Sequence, residues 1–205
     1  MMLPTHALVG LALALPLVIL APEFAGVALT AGLLGGILPD LDMYIGHRKT
    51  LHYPVYYSVL GVAAAPFAVL LPTAATIAAT FLLLGAAVHS VMDIFGGGLE
   101  LRPWEATSSG AVYDHRRGRW LAPRRWVRYD GAPEDLLLSL GIAVPLLIAL
   151  DGVLRLIVGA ALVVAVVYTA VRRLLPMIAE VLVVRTLPDR FLVLLPARYG
   201  PERGT

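Results

Sequence analysis

Apolar runs broken by short polar punctuation make up most of this chain, with one dense polar stretch near its first third. The runs cover His6 to Ala21, Phe24 to Leu38, Tyr53 to Leu71, Thr73 to Met92, Leu136 to Leu150 and Val153 to Val171. Ala21-Pro22-Glu23, Leu71-Pro72-Thr73 and Asp151-Gly152 leave room only for tight turns, so the pattern predicts helical hairpins. The first two runs are shorter than the roughly 20 residues of a comfortable span, yet only Glu23 is charged between Thr5 and Pro39. The second run is rich in small residues, among them Gly26, Ala28, Gly32, Gly35 and Gly36, which let helix backbones approach closely in lipid. Gly96-Gly97-Gly98 stops the fourth run.

The predicted fold is therefore all-α, an integral membrane bundle of about six transmembrane helices with a polar cytoplasmic loop. Residues 1–98 form a core of two hairpins, 99–133 a polar interfacial loop, 134–173 a third hairpin and 174–205 an interfacial tail. Asp130, Glu134 and Asp135 mark the start of the fifth helix. Within the tail, Leu174 to Val184 is too short to span. No Lys or Arg precedes the first run, unlike the positive start of a cleaved signal peptide, so that run is expected to remain as the first helix.

Composition agrees with lipid as the solvent. Hydrophobic residues make up 59% and charged residues 15%, against about 25% charged in soluble domains, and mean hydropathy is +0.82. Cysteine is absent, which excludes disulfides and thiolate ligation. Any metal must be held by nitrogen and oxygen.

The polar stretch runs from Gly36 to His52, GILPDLDMYIGHRKTLH. Hairpin connectivity returns the chain to one face each time: His6 starts the first helix, Asp40 and Asp42 follow the second, His47 and His52 precede the third, and His89 and Asp93 close the fourth. These seven side chains thus end on one side of the membrane. Arg48, Lys49, Arg102, Arg116, Arg117, Arg119, Arg124, Arg125, Arg128, Arg172 and Arg173 share it, while the opposite turns carry only Arg155. Short loops rich in Lys and Arg stay inside, which predicts a multi-pass protein of the cytoplasmic membrane with its site facing the cytoplasm.

His89 and Asp93 stand four apart, one helical turn, so both project from one stripe and can share an ion or a hydrogen bond. Asp40 and Asp42 are expected in extended chain after Pro39, where positions two apart face the same way; paired carboxylates call for a cation. Imidazole with carboxylate suits zinc, with manganese or iron as alternatives, whereas calcium or magnesium would need no histidines. His6, Asp40, Asp42, His52, His89 and Asp93 are the expected metal ligands, His47 a ligand or general base, and Arg48 an anion binder or an inside anchor.

Taken in order, Thr5-His6 with Gly10, Leu38-Pro39-Asp40-Leu41-Asp42, His47-Arg48, His52 and His89 with Asp93 resemble the YdjM-type family of membrane-bound metal-dependent hydrolases. The resemblance covers roughly residues 1 to 100. Family members often have Thr-His-Ser around the second loop histidine, where this chain has Leu51-His52-Tyr53. The resemblance implies hydrolysis through a bound divalent metal, with a pattern similar to zinc phospholipase C, and fixes no substrate.

Asp114 to Tyr129, DHRRGRWLAPRRWVRY, interleaves arginines with Trp120 and Trp126. Beside a membrane this predicts an interfacial segment on anionic lipid headgroups in preference to nucleic acid. The expected function is a metal-dependent hydrolase of a phosphoester or lipid-headgroup substrate. A metal or proton transporter, and a membrane protein with a structural metal, are the alternatives.

Overall fold

A computed structural model of the chain describes residues 1–178 and Val181. Of the predicted tail segment Leu174 to Val184, residues 179, 180 and 182–184 lie outside the described residues. The fold is mostly helical. Helix α1 spans Leu3–Ala14, and Pro16, which lacks the N–H the ladder needs, separates it from a short continuation, α2 (Leu17–Leu20). Helix α3 (Pro22–Ile37) starts with Pro22 and Glu23 in its first turn, where the missing N–H costs nothing and a negative charge meets the positive helix end. Helices α4 (Pro54–Leu70) and α5 (Ala74–Met92) form the second hairpin, and Thr73 and Thr76 cap α5 reciprocally. After a long connection come α6 (Pro133–Ala149), α7 (Gly152–Val171) and the single turn α8 (Leu175–Ile178).

Among the described residues, four helical stretches are long and apolar enough to cross a membrane: Leu3–Leu20, Pro22–Asp42, Ala74–Phe95 and Gly152–Val171. Many large apolar side chains point outward, such as Ile19, Leu70, Ile148 and Val153, while His6, His52, His89, Asp42 and Asp93 are buried. That distribution inverts the soluble pattern and fits a bundle that faces lipid.

The core is the α1–α3–α5 triad, and glycine makes it tight. A β-carbon on Gly10 would collide with the Gly32 carbonyl, and one on Gly85 would fall 2.7 Å from the same oxygen. Backbones in such contact leave no room for side chains between them. The packing therefore brings the start of α1 beside the ends of α3 and α5, and with them His6, Asp40 and His89.

Two local structures differ from expectation. Leu38 keeps helical angles (φ −48°, ψ −47°), so the chain runs through Pro39 into a 3-10 turn, Leu38–Asp42, and is not extended there. At three residues per turn, positions two apart point about 120° away from each other. Asp40 and Asp42 therefore diverge. Second, the connection 99–133 contains a β-hairpin, β1 (Val112–Asp114) against β2 (Arg119–Leu121), in antiparallel register with Tyr113 opposite Trp120. Asp114 Oδ1 accepts the Arg116 and Arg117 amides to close its turn. The hairpin and the chain after it dock over the polar face: Tyr113 N–H donates to Arg48 O at 3.0 Å, Arg124 N–H to Ile94 O at 2.8 Å and Val127 N–H to Phe95 O at 3.1 Å.

Candidate metal centre

Asp40, His52, His89 and Asp93 converge, each offering a nitrogen or oxygen within 4.8 Å of all the others. They come from the 3-10 turn after α3, the residue pair before α4, the last turn of α5 and the turn that follows it. His52, His89 and Asp93 are fully buried, and the Asp40 carboxylate is 12% exposed.

Both imidazoles are aimed by a partner at their other nitrogen. His89 Nδ1 lies 2.7 Å from Gly36 O. A carbonyl only accepts, so Nδ1 carries the proton and Nε2 points into the cluster. His52 Nδ1 sits 2.9 Å from Asp42 Oδ2 and donates likewise. Neither Nε2 has a hydrogen-bond partner among the described residues, although both atoms are buried. Orphaned buried polar atoms are rare in folded proteins, and two of them face the same point.

The separations fit an ion. His52 Nε2 lies 3.8 Å from Asp40 Oδ1 and 3.3 Å from Asp93 Oδ2; His89 Nε2 lies 3.4 Å and 3.6 Å from the same two atoms. Four donors about 2.1 Å from one ion in a tetrahedron stand about 3.4 Å apart. The charge fits as well. Asp40, Asp42 and Asp93 meet the buried Arg48 guanidinium and the Met1 amino group, so with neutral histidines one negative charge is left over, which a bound cation would offset.

The remaining predicted residues surround these four. Asp42 reaches the cluster only through other groups: its Oδ1 accepts from His47 Nδ1 at 3.1 Å and Arg48 N–H at 3.3 Å, its Oδ2 from Leu51 N–H at 3.0 Å and from His52. His6 stacks on His89 with ring centroids 3.7 Å apart, and its Nε2 lies 3.1 Å from Asp93 Oδ1. The Met1 amino group lies 2.6 Å from that same oxygen. His47 sits at the edge, 4.0 Å from Asp40 Oδ1. Arg48 is buried in a left-handed conformation (φ 60°), with Nη1 donating to Gly97 O at 2.7 Å and Nε 3.4 Å from Asp93 Oδ2. A buried arginine held at positive φ is costly and persists only where its surroundings demand it.

Outside the spans, electrostatics follow this geometry. Burial opposes charge on Arg48, but Asp93, then Asp130 and Asp40, hold its pKa above the ordinary value. Burial likewise pulls His52 down, and the Asp42 carboxylate bonded to its Nδ1 together with the nearby Asp93 charge more than offsets it, leaving a raised pKa. A proton and a metal ion compete for the same His52 nitrogen.

A cavity of about 570 Å³ adjoins the cluster, with Asp40, His47 and Arg48 on its wall. Sequence reasoning missed the second role of the connection 99–133: Leu99, Glu100 and Asp130 line this cavity too. Comparisons with protein-family models, curated proteins and solved structures found no match.

Proposed function

We propose that the chain is a multi-pass membrane protein whose buried cluster holds one divalent ion and uses it to hydrolyse a phosphoester at lipid-headgroup depth on the cytoplasmic side. The observation that carries this reading is the pair of buried Nε2 atoms of His52 and His89, both without hydrogen-bond partners and facing two carboxylates at ion-binding distance. Asp40, His52, His89 and Asp93 would be the ligands. Zinc suits this donor set, with manganese or iron as alternatives.

When bound, such an ion supplies Lewis-acid polarisation of a phosphoryl oxygen and acidifies water toward neutral pKa. The protein does the rest. Arg48 supplies fixed positive charge for an anionic substrate. His47, on the cavity wall and hydrogen-bonded to Asp42, is placed to take up a proton. His6 holds the Asp93 carboxylate from behind.

Six spans complete the proposal. Helices α4 and α6, each 17 residues, run roughly 26 Å, a little short of the ~30 Å hydrocarbon core, a mismatch that modest bilayer thinning absorbs. The arginine-rich face is the cytoplasmic one. Leu41, Tyr44 and Ile45 are 64%, 78% and 74% exposed beside the cluster, and Trp126 is exposed among arginines, which suits burial among headgroups. Ionisable groups stand at helix ends and not along a path through the midplane, which disfavours a transporter.

One observation favours a second reading. Four protein donors close a zinc tetrahedron, the arrangement of structural sites. Asp40 on the cavity wall is the point where substrate could reach the ion, and it favours catalysis. The test is hydrolysis of water-soluble phosphomonoesters and phosphodiesters by metal-loaded protein in nanodiscs. Turnover that stops with chelator and in Asp40→Ala supports the hydrolase. Stoichiometric metal with no turnover of either ester class leaves the structural role.

A further inference from the structure

Resting on the hydrolase reading, we infer that the apolar cavity beside the cluster receives the hydrocarbon tail of a lipid substrate whose anionic headgroup lies at Arg48 and Asp40. Helix α7 packs on α6 and α1, and the cavity occupies the space between α7, α1 and α3. Two stripes line it. On α3, Leu33 and Ile37 stand one turn apart and lead directly to Asp40. On α7, Ile157, Ala160, Ala161 and Val164 form a face that continues to Tyr168 and Arg172. Both stripes run from the apolar interior of the bundle to its polar face. From 157 to 168, α7 supplies a wall roughly 16 Å long at 1.5 Å per residue.

The shape selects the occupant. At roughly 30 Å³ per water-sized group, the cavity volume of about 570 Å³ holds on the order of 20 non-hydrogen atoms. That is enough for one alkyl or isoprenoid chain with a phosphate. Water would find few partners along a wall of leucine, isoleucine, valine and alanine. A soluble phosphoester would use only the polar end and leave the rest empty. The buried Arg48 guanidinium, on the cavity wall beside Asp40, supplies positive charge for an anionic head at that end. Ala160 and Ala161 create the width, since a larger residue at either position would project into the space.

The test separates this inference from the hydrolysis it rests on. A sixteen-carbon alkyl phosphonate with a mid-chain diazirine, which no hydrolase can cleave, is photolysed with the metal-loaded protein in nanodiscs, and the adducts are mapped by mass spectrometry. We expect adducts on Leu33, Ile37 and the 157–164 face of α7. Ala160→Trp and, separately, Ala161→Phe should lower them at least about tenfold, the factor that 1.4 kcal/mol of lost affinity gives. Retained metal content shows that each variant folds, and the wild-type adduct positions are decisive without them. Adducts spread over lipid-facing residues such as Leu156, Val163 and Val167, and unchanged by either variant, would overturn the inference while leaving turnover of soluble esters as it stands. Cavity adducts from a protein that hydrolyses no ester would sink the hydrolase and keep the tail site.

Discussion

Replacing Asp42 by asparagine separates the groups that hold an ion from the groups that hold its ligands. The carboxylate accepts four hydrogen bonds, from His47, the Arg48 and Leu51 amides and His52. Asparagine keeps one accepting oxygen and turns the other position into a donor. Two of the four donors then face an N–H, and each lost charge-assisted bond costs about 1.5–3 kcal/mol where it is buried. If the amide oxygen stays toward His52, the 42–52 loop loosens; if it turns, His52 loses the acceptor that fixes its tautomer. Removing a partner that orients a ligand typically lowers metal affinity about 10- to 100-fold. Asp42→Asn should therefore bind metal at full stoichiometry with affinity lower by that factor, whereas Asp93→Ala and His89→Ala should bind none. The assay is zinc titration against a chromophoric chelator. Affinity within twofold of wild type would refute the orienting role, and complete loss of binding would make Asp42 a ligand.

Other expectations rest on separate features. Gly10→Leu should separate α1 from α3, because the added side chain has nowhere to go beside Gly32; we expect a loss of about 3 kcal/mol and reduced metal content, read by thermal unfolding in detergent and by mass spectrometry. Asp130 is paired with Arg172 at 2.9 Å and hydrogen-bonded to Tyr168, and although burial pushes its pKa up, Arg172 brings it below the ordinary value. A carboxyl with a depressed folded pKa stabilises above its unfolded value of about 3.9, and that contribution fades as pH falls through the lower folded value. Asp130→Asn should thus lower the melting temperature at pH 7, by about 2 kcal/mol in stability, and the difference from wild type should shrink below pH 4. A constant difference across that range would exclude the ion pair as its source.

The convergence of helix ends was legible in the sequence because short turns leave a hairpin no choice about which face it returns to. His89 and Asp93 could be placed on one stripe by spacing alone, and Nε2 and Oδ2 lie 3.6 Å apart. Gly32, Gly35 and Gly36 announced close backbone packing, though not which helices would touch, and Gly10 as their partner was not foreseen. The direction of Asp42 was not legible. It turns on whether helix α3 stops at Pro39 or winds through it, a difference of local angles that residue preferences do not decide. The β-hairpin was hidden for another reason. Its strands have three residues each, and it is tied down by a backbone bond from Tyr113 to Arg48, while Arg124 and Val127 just after it bond the Ile94 and Phe95 carbonyls, none of which a pattern of side chains records.

The decisive measurement is the metal content of purified protein, wild type against Asp40→Ala and His89→Ala, by inductively coupled plasma mass spectrometry. These residues lie in different elements, in the 3-10 turn after α3 and in the last turn of α5, and meet at the cluster. One divalent ion per chain, lost in each variant, is the predicted result. A wild-type protein that carries no ion and takes up none on titration, or variants that keep theirs, would contradict it.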